Sequence, residues 1–226
     1  MFTSVTPRYD LINRIITWGL DRRWREVAAK ECLKSFPKRV LDLGCGTGDL
    51  AVAVARASKD LIDVTGLDFS QPMLEIARQK AAKSGFNNTT FVDGDAADIK
   101  FPSEYFDCVG ISFAFRNLTY RNPITEKVLL GILRVLRPDG RLVIVESSQP
   151  ESKLVRRLFH FYLRLFVANI GYRLSGNKSA YKYLSESAAG FYTPEKVKEL
   201  LLQAGFREVA CKPLSLGVAG IHVGVK

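Results

Sequence analysis

The residues best suited to chemistry lie in the stretch D-L-G-C-G-T-G-D, where Gly44, Gly46 and Gly48 follow Asp42 and precede Asp49. Alternate glycines let a backbone turn sharply, approach a ligand closely and present its amides at a helix start. In the dinucleotide-binding pattern the third glycine stands three places after the second. Here that place is Asp49, so a pyrophosphate ligand is disfavoured. Carboxylates on both sides of the turn suit a cationic, phosphate-free ligand, and S-adenosylmethionine, with its sulfonium and ammonium groups, is such a ligand. Asp68 ends a second strand-like run 24 positions after Gly44. An acidic side chain there accepts both ribose hydroxyls of an adenosine. Its alternative role is a carboxylate stabilised by a helix N-terminus, although Ser70 stands ready as the cap. In V-D-G-D-A-A-D, Asp95 is placed to take the adenine amine and Ala96 to leave room for the ring, with Asp93 and Asp98 as competitors. Thr47, Phe69 and Ser112 complete the cofactor set of Asp42, Gly44, Gly46, Gly48, Asp68, Asp95 and Ala96.

Such residues work together only if a scaffold brings their strand ends to one edge. Residues 39–55 read as a buried strand, a glycine turn and a helix. Strands are expected at 63–68, 89–93, 106–113 and 141–146, with helices at 69–84 and 123–136. The turn Arg137-Pro138-Asp139-Gly140 leads into the fifth strand. Strands alternating with helices indicate a doubly wound sheet whose ligand lies beyond the strands' carboxyl ends. The last third departs from that rhythm: a helix at 154–174, another at 193–204, and a hairpin of 208–215 with 218–225 turning at Gly217. The expected fold is therefore α/β, a Rossmann-like, mostly parallel seven-stranded sheet closed by a C-terminal antiparallel hairpin. One domain spans 1–226, with N-terminal lid helices at 1–38, a cofactor core at 39–150, a substrate-covering insertion at 151–192 and the closing helix and hairpin at 193–226.

The fourth strand opens into I-S-F-A-F-R-N, which sets Ser112, Arg116 and Asn117 beside the cofactor edge. With M-F-T-S-V-T-P-R-Y-D-L-I-N-R, G-L-D-F-S-Q-P-M-L, R-V-L-R-P-D-G-R-L, Y-K-Y-L-S-E-S and G-V-A-G-I-H-V-G, this segment makes the chain resemble the UbiE-type C-methyltransferases of ubiquinone and menaquinone biosynthesis over nearly its whole length. That family usually has Gly at Ala114, Gly-Gly at Asp139-Gly140, and E-F-S-x-P at Glu146-Ser147-Ser148-Gln149-Pro150. Ala114 is expected to reshape the substrate channel. The resemblance implies a class I S-adenosylmethionine-dependent methyltransferase acting on a ring carbon of a reduced quinone with an isoprenoid tail. Arg116 would then stabilise the developing phenolate or hold a basic water, Asn117 would orient that water or hydroxyl, and Tyr9 would fold over the site. Asn117 as a turn cap and Tyr9 as a packing aromatic are equally admissible, and His222 reads as structural.

The 226 residues are 47% hydrophobic and 25% charged, with 17 Gly and 9 Pro, a composition that excludes collagen-like and wholly disordered chains. The net charge is +10. Residues 1–39 carry nine basic and four acidic side chains, residues 151–182 seven and one, and the remainder is close to neutral. Arg156, Arg157, Arg164 and Arg173, interleaved with aromatics, suit peripheral contact with an anionic membrane as well as they suit a solvated helix face. Nucleic-acid methylation is a competing reading, but neither an Asn-Pro-Pro-Tyr motif nor a Pro-Cys nucleophile is present, and no nucleic-acid partner is expected. A non-enzymatic binding module is disfavoured by Ser112, Arg116 and Asn117 at the donor edge. The four cysteines lie at least 13 positions apart and there are two histidines, so no metal site is expected. The sequence reads as cytoplasmic, at most peripheral at the inner face of a membrane, and leaves a homodimer open.

Overall fold

The computed structural model describes residues 9–167 and 178–226, apart from the side chains of Tyr9 and of residues 178–180. Seven strands form one sheet: β1 (Arg39–Leu43), β2 (Asp63–Asp68), β3 (Thr89–Asp93), β4 (Phe106–Ser112), β5 (Leu136–Ser147), β6 (Glu208–Leu214) and β7 (Ala219–Val225). Their order is β3-β2-β1-β4-β5-β7-β6. The first five run parallel, and β7 lies antiparallel between β5 and β6. The chain reverses its direction of growth between β1 and β4, and a doubly wound sheet opens its cleft there.

Both faces of the sheet are covered. On one, Ala28, Ala29 and Cys32 of α2 (Leu20–Leu33) pack with α3 (Asp49–Ala57) and α4 (Gln71–Lys83) over Val40, Cys108 and Val143. On the other, α6 (Thr125–Val135) and the C-terminal helix Pro194–Ala204 cover Leu41, Val109 and Ile144. β4 is therefore apolar on both sides, as a central parallel strand must be. The small residues of α2 let it pack closely on the sheet, while Leu20, Asp21, Trp24 and Arg25 of the same helix line a cavity with residues of the insertion. α1 (Tyr9–Ile16) joins the insertion, where Ile12 and Ile16 pack with Leu163, Val167, Tyr181 and Ala188.

Several boundaries differ from the sequence reading. β5 begins at Leu136, paired with Phe106, and bulges through the expected turn before resuming at Arg141. Asp139 takes the left-handed conformation there, with φ 62°. The F-R-N segment forms a short helix, α5 (Phe115–Thr119). The expected helix at 154–174 is α-helical as α7 (Lys153–Tyr162) and widens to a π-turn over Leu163–Val167; its continuation and Arg173 lie outside the described residues. α8 (Lys178–Gly190) follows, and the closing helix is α9 (Pro194–Ala204), capped by the Thr193 hydroxyl. Ser70 occupies the N-cap position of α4, but its hydroxyl has no hydrogen-bond partner among the described residues; Asp68 Oδ1 instead accepts the Ser70 amide at 2.9 Å.

Candidate active site

Two cavities adjoin at the carboxyl ends of β1, β2 and β4. One, of about 370 Å³, is lined by Gly44, Gly46, Thr47, Asp68, Phe69, Asp95, Ala96 and Ser112 from the expected cofactor set. The other, of about 420 Å³, runs among Ile16, Trp24, Phe159, Tyr162 and Leu184. Its polar end is made by Arg116, Asn117 and Ser147. Arg25, Phe113 and Asn117 line both cavities, so a group leaving one would enter the other there. Phe113 adopts a left-handed backbone with φ 55°, an unfavourable conformation for an aromatic residue. Its amide bonds to Val145 O at 2.9 Å, and the Arg25 guanidinium lies 5.2 Å from its ring centre.

The glycine turn is built for close approach. Gly44 has φ +68°, and a Cβ there would meet Ala114 Cβ at 2.9 Å. Ala114 thus lines the first cavity and is absent from the wall of the second. Asp68 is only 8% exposed and uses one oxygen for the Gly46 amide and the other for Ser70, both at 2.9 Å. Each oxygen keeps acceptor capacity for a ligand hydroxyl. Asp95 Oδ1 accepts the Ala97 amide at 2.8 Å. Thr47 donates its hydroxyl to Asp10 Oδ1 of α1 at 2.7 Å, and Lys80 reaches Asp10 at 2.9 Å and also pairs with Asp49.

Asp42 and Gly48 sit beneath this cavity rather than in its wall. A Cβ on Gly48 would stand 2.9 Å from Ala77 Cβ and from the Phe91 ring, so that glycine serves the packing of α3. Asp42 is wholly buried and accepts the Ala51 amide at 2.9 Å, satisfying an otherwise unpaired donor of the α3 N-terminus. Burial pushes its carboxyl up to about 7, against the opposing pull of the Ala51 amide and Arg25. His222 lines neither cavity, and burial pushes its imidazole down to about 4.

Around the second cavity's polar end, Arg116 is 3% exposed and its Nη1 donates to Glu146 Oε1 at 3.1 Å and Ser147 Oγ at 2.7 Å. Asn117 Oδ1 accepts from the Tyr183 hydroxyl at 3.3 Å. Tyr9 opens α1, but its side chain lies outside the described residues. Reading by motif passed over Glu146, Ser147, Arg25, Asp10 and Tyr183. For Glu146 a signal existed: an acidic residue closing the buried run L-V-I-V-E needs a partner of opposite charge.

The first cavity fits S-adenosylmethionine. Three carboxylates, Asp49, Asp68 and Asp95, face it, and Arg25 is the one cationic side chain in its described wall. That balance suits a ligand with two positive groups and one carboxylate. Met73, Ala96, Leu118 and Ile124 supply an apolar section for a purine.

Comparison with known proteins agrees with this geometry. The chain matches the ubiE/COQ5 methyltransferase family over residues 1–226. It is 42% identical over 224 residues to a protein named demethylmenaquinone methyltransferase from Thermus thermophilus, covering 99% of each chain. It is 39% identical over 227 residues to the Geobacter sulfurreducens protein named ubiquinone/menaquinone biosynthesis C-methyltransferase UbiE, covering all of this chain and 87% of the relative. Among solved structures, a SAM-dependent methyltransferase from Thermotoga maritima superposes over the full length of both chains with TM-score 0.63 at 22% identity. Another from Aquifex aeolicus gives 0.61 at 20% identity over 87% of this chain and 88% of its own. The structural matches establish the fold, and the match of the full sequence establishes more: the chain belongs to the ubiE/COQ5 methyltransferase family.

Proposed function

We propose that this protein methylates a ring carbon of a reduced isoprenoid quinone precursor, with S-adenosylmethionine as methyl donor. The observation that carries this reading is the pair of adjoining cavities, one acidic and sized for the donor, one apolar and ending in a buried arginine, sharing Arg25, Phe113 and Asn117. The names of the Thermus and Geobacter relatives point to the same chemistry.

Bound in the first cavity, S-adenosylmethionine supplies a methyl group already activated on a sulfonium. Asp68 would hold its ribose hydroxyls, Asp95 and Ala96 its adenine, and the Gly44–Gly46 turn with Thr47 its amino-acid end. The remaining task is to make a ring carbon nucleophilic, which follows when a neighbouring phenol passes its proton to an adjacent water; once methylated, that carbon releases its own hydrogen as a proton to water and the ring is aromatic again. The Arg116 guanidinium stabilises negative charge on that ring oxygen. Asn117, held through its carbonyl by Tyr183, turns its amide nitrogen to orient the hydroxyl or an adjacent water. The lid residues Ile16, Phe159 and Leu184 exclude bulk water and take the start of the tail.

The lid also carries the proposed contact with an anionic membrane. Leu154, Leu158, Phe161 and Leu165 recur at helical spacing and are 46–68% exposed, with Arg157 and Arg164 exposed beside them. Leu11, Ile15 and Trp18 of α1 and the turn after it add to this apolar surface. Leu158 and Trp18 also line the second cavity, so a bilayer at this face would meet its mouth. No helix among the described residues is long and apolar enough to cross a membrane.

Incubation with isotope-labelled methyl donor and reduced quinone extracts, followed by mass analysis, tests the reaction. Label is expected on a ring carbon of an isoprenoid quinol. Label confined to an oxygen, or absent from every quinol, would overturn the proposal.

A further inference from the structure

Glu146 has no part in the reaction as derived so far, yet it is wholly buried where the polar end of the acceptor cavity is built. Its carboxylate accepts from four donors. Oε2 takes the Arg116 amide at 3.1 Å; Oε1 takes Arg116 Nη1 at 3.1 Å and both the amide and the hydroxyl of Ser147 at 2.9 Å. Ser147 Oγ in turn accepts from Arg116 Nη1 at 2.7 Å. Arg116 and Ser147 line the cavity, whereas Glu146 does not. Arg116 Nε is buried and has no hydrogen-bond partner among the described residues. A donor so enclosed is reached by no water-sized atom from the cavity, so Arg116 meets a ligand through the part of its side chain that lines the wall.

Resting on the acceptor reading above, we propose that Glu146 is a positioning residue for methyl transfer: it fixes Arg116 so that the guanidinium meets an oxygen of the acceptor ring, with the Ser147 hydroxyl bridging the two side chains. A donor aimed in advance at developing charge needs no reorganisation during reaction, and this is where a fixed guanidinium exceeds a mobile one. The carboxylate matters for both charge and shape. Glutamine has the same outline but one oxygen and an NH₂ group, so at least one of the four donors would face another donor, and the guanidinium would lose its counter-charge.

The test is a double-mutant cycle on turnover of a short-tailed prenyl-naphthohydroquinone lacking the ring methyl, kept reduced, with labelled methyl donor. Glu146→Gln is expected to lower kcat by about 30-fold or more, leave the acceptor KM within about threefold and leave calorimetric donor affinity unchanged. In an Arg116→Ala background the same change is expected to cost less than about twofold, because its effect passes through Arg116. Full turnover by Glu146→Gln, or an equal loss in both backgrounds, would overturn the proposal. Should Glu146→Gln fail to bind donor, Ser147→Ala enters the same cycle. It is expected to cost about tenfold with Arg116 present and almost nothing without it, and equal losses again overturn the role. A wild-type protein inactive on this probe refutes the acceptor reading and the positioning role with it. An active wild type with an additive cycle refutes the positioning role alone.

Discussion

Arg116 carries a full charge into a site where 3% of it meets solvent, and Glu146 at 3.1 Å is what makes that tolerable. Because Arg116 lines the second cavity and not the first, the proposed acceptor and donor functions should separate at this residue. Arg116→Ala should leave donor affinity by calorimetry within about threefold while turnover falls at least about 100-fold; unchanged turnover would remove its assignment. Asp68→Ala should act in the opposite way, weakening donor binding by about tenfold or more, since it removes the acceptor of the Gly46 amide along with the proposed ribose contact. Asp42 gives a pH signature instead. Its folded pKa of about 7 exceeds the ordinary 3.8, so between those values the folded protein holds a proton that the unfolded chain has released. The associated stability is full below about pH 4 and is lost as pH rises through 7, about 3 kcal/mol of it between pH 5 and 8. Urea unfolding of Asp42→Asn at those two pH values should show this difference flattened; an unaltered slope would mean that another group titrates.

At the scale of elements, α1 bridges the glycine turn and the insertion. It is held from below by Asp10, bonded to Thr47 and Lys80 at the donor cavity, and from above by Ile12 and Ile16 in the cluster it shares with the insertion. Tyr162 adds a hydroxyl bond to Ile16 O at 2.6 Å. The helix has only eight residues, too few to be stable without these contacts. Asp10→Ala should therefore speed amide hydrogen exchange across α1 and raise the acceptor KM a fewfold, with exchange in β1 and β4 unaffected. Exchange in α1 that stays at the wild-type rate would show that the apolar contacts alone hold the helix. α2, by contrast, packs on the sheet face and sends Arg25 to the border of the two cavities, where it donates to Ser112 Oγ at 3.0 Å.

For the whole molecule, the uneven charge has a geometric counterpart. The sheet and its covering helices are close to neutral, whereas Lys153, Arg156 and Arg157 of α7 and Arg164 of the π-turn after it stand on the same segment as exposed Leu154, Leu158 and Phe161. A lipid surface of negative charge matches both properties, each basic group near it adding about 1 kcal/mol. Reversing Arg156, Arg157 and Arg164 to glutamate should abolish sedimentation with anionic liposomes and leave binding of S-adenosylmethionine intact. Sedimentation that persists would reject the membrane contact.

The sequence by itself determined the alternation of strands and helices, the glycine turn, and the acidic residues at successive strand ends. These follow from local periodicity and from conformations that few residue types allow. It also placed Arg116 and Asn117 at the fourth strand's edge, although the short helix that carries them has too little periodicity to be read. What only the tertiary structure decided was partnership. Arg116 and Glu146 are 30 positions apart and Arg25 and Ser112 are 87 apart, and each pair meets because parallel pairing of β4 with β5 and the packing of α2 bring distant ends together. The same packing set Ala114 in the wall of the first cavity and Asp42 below the site it was expected to line. A buried charge reports from sequence that it needs a partner, but which residue answers depends on sheet order and on which face a helix presents.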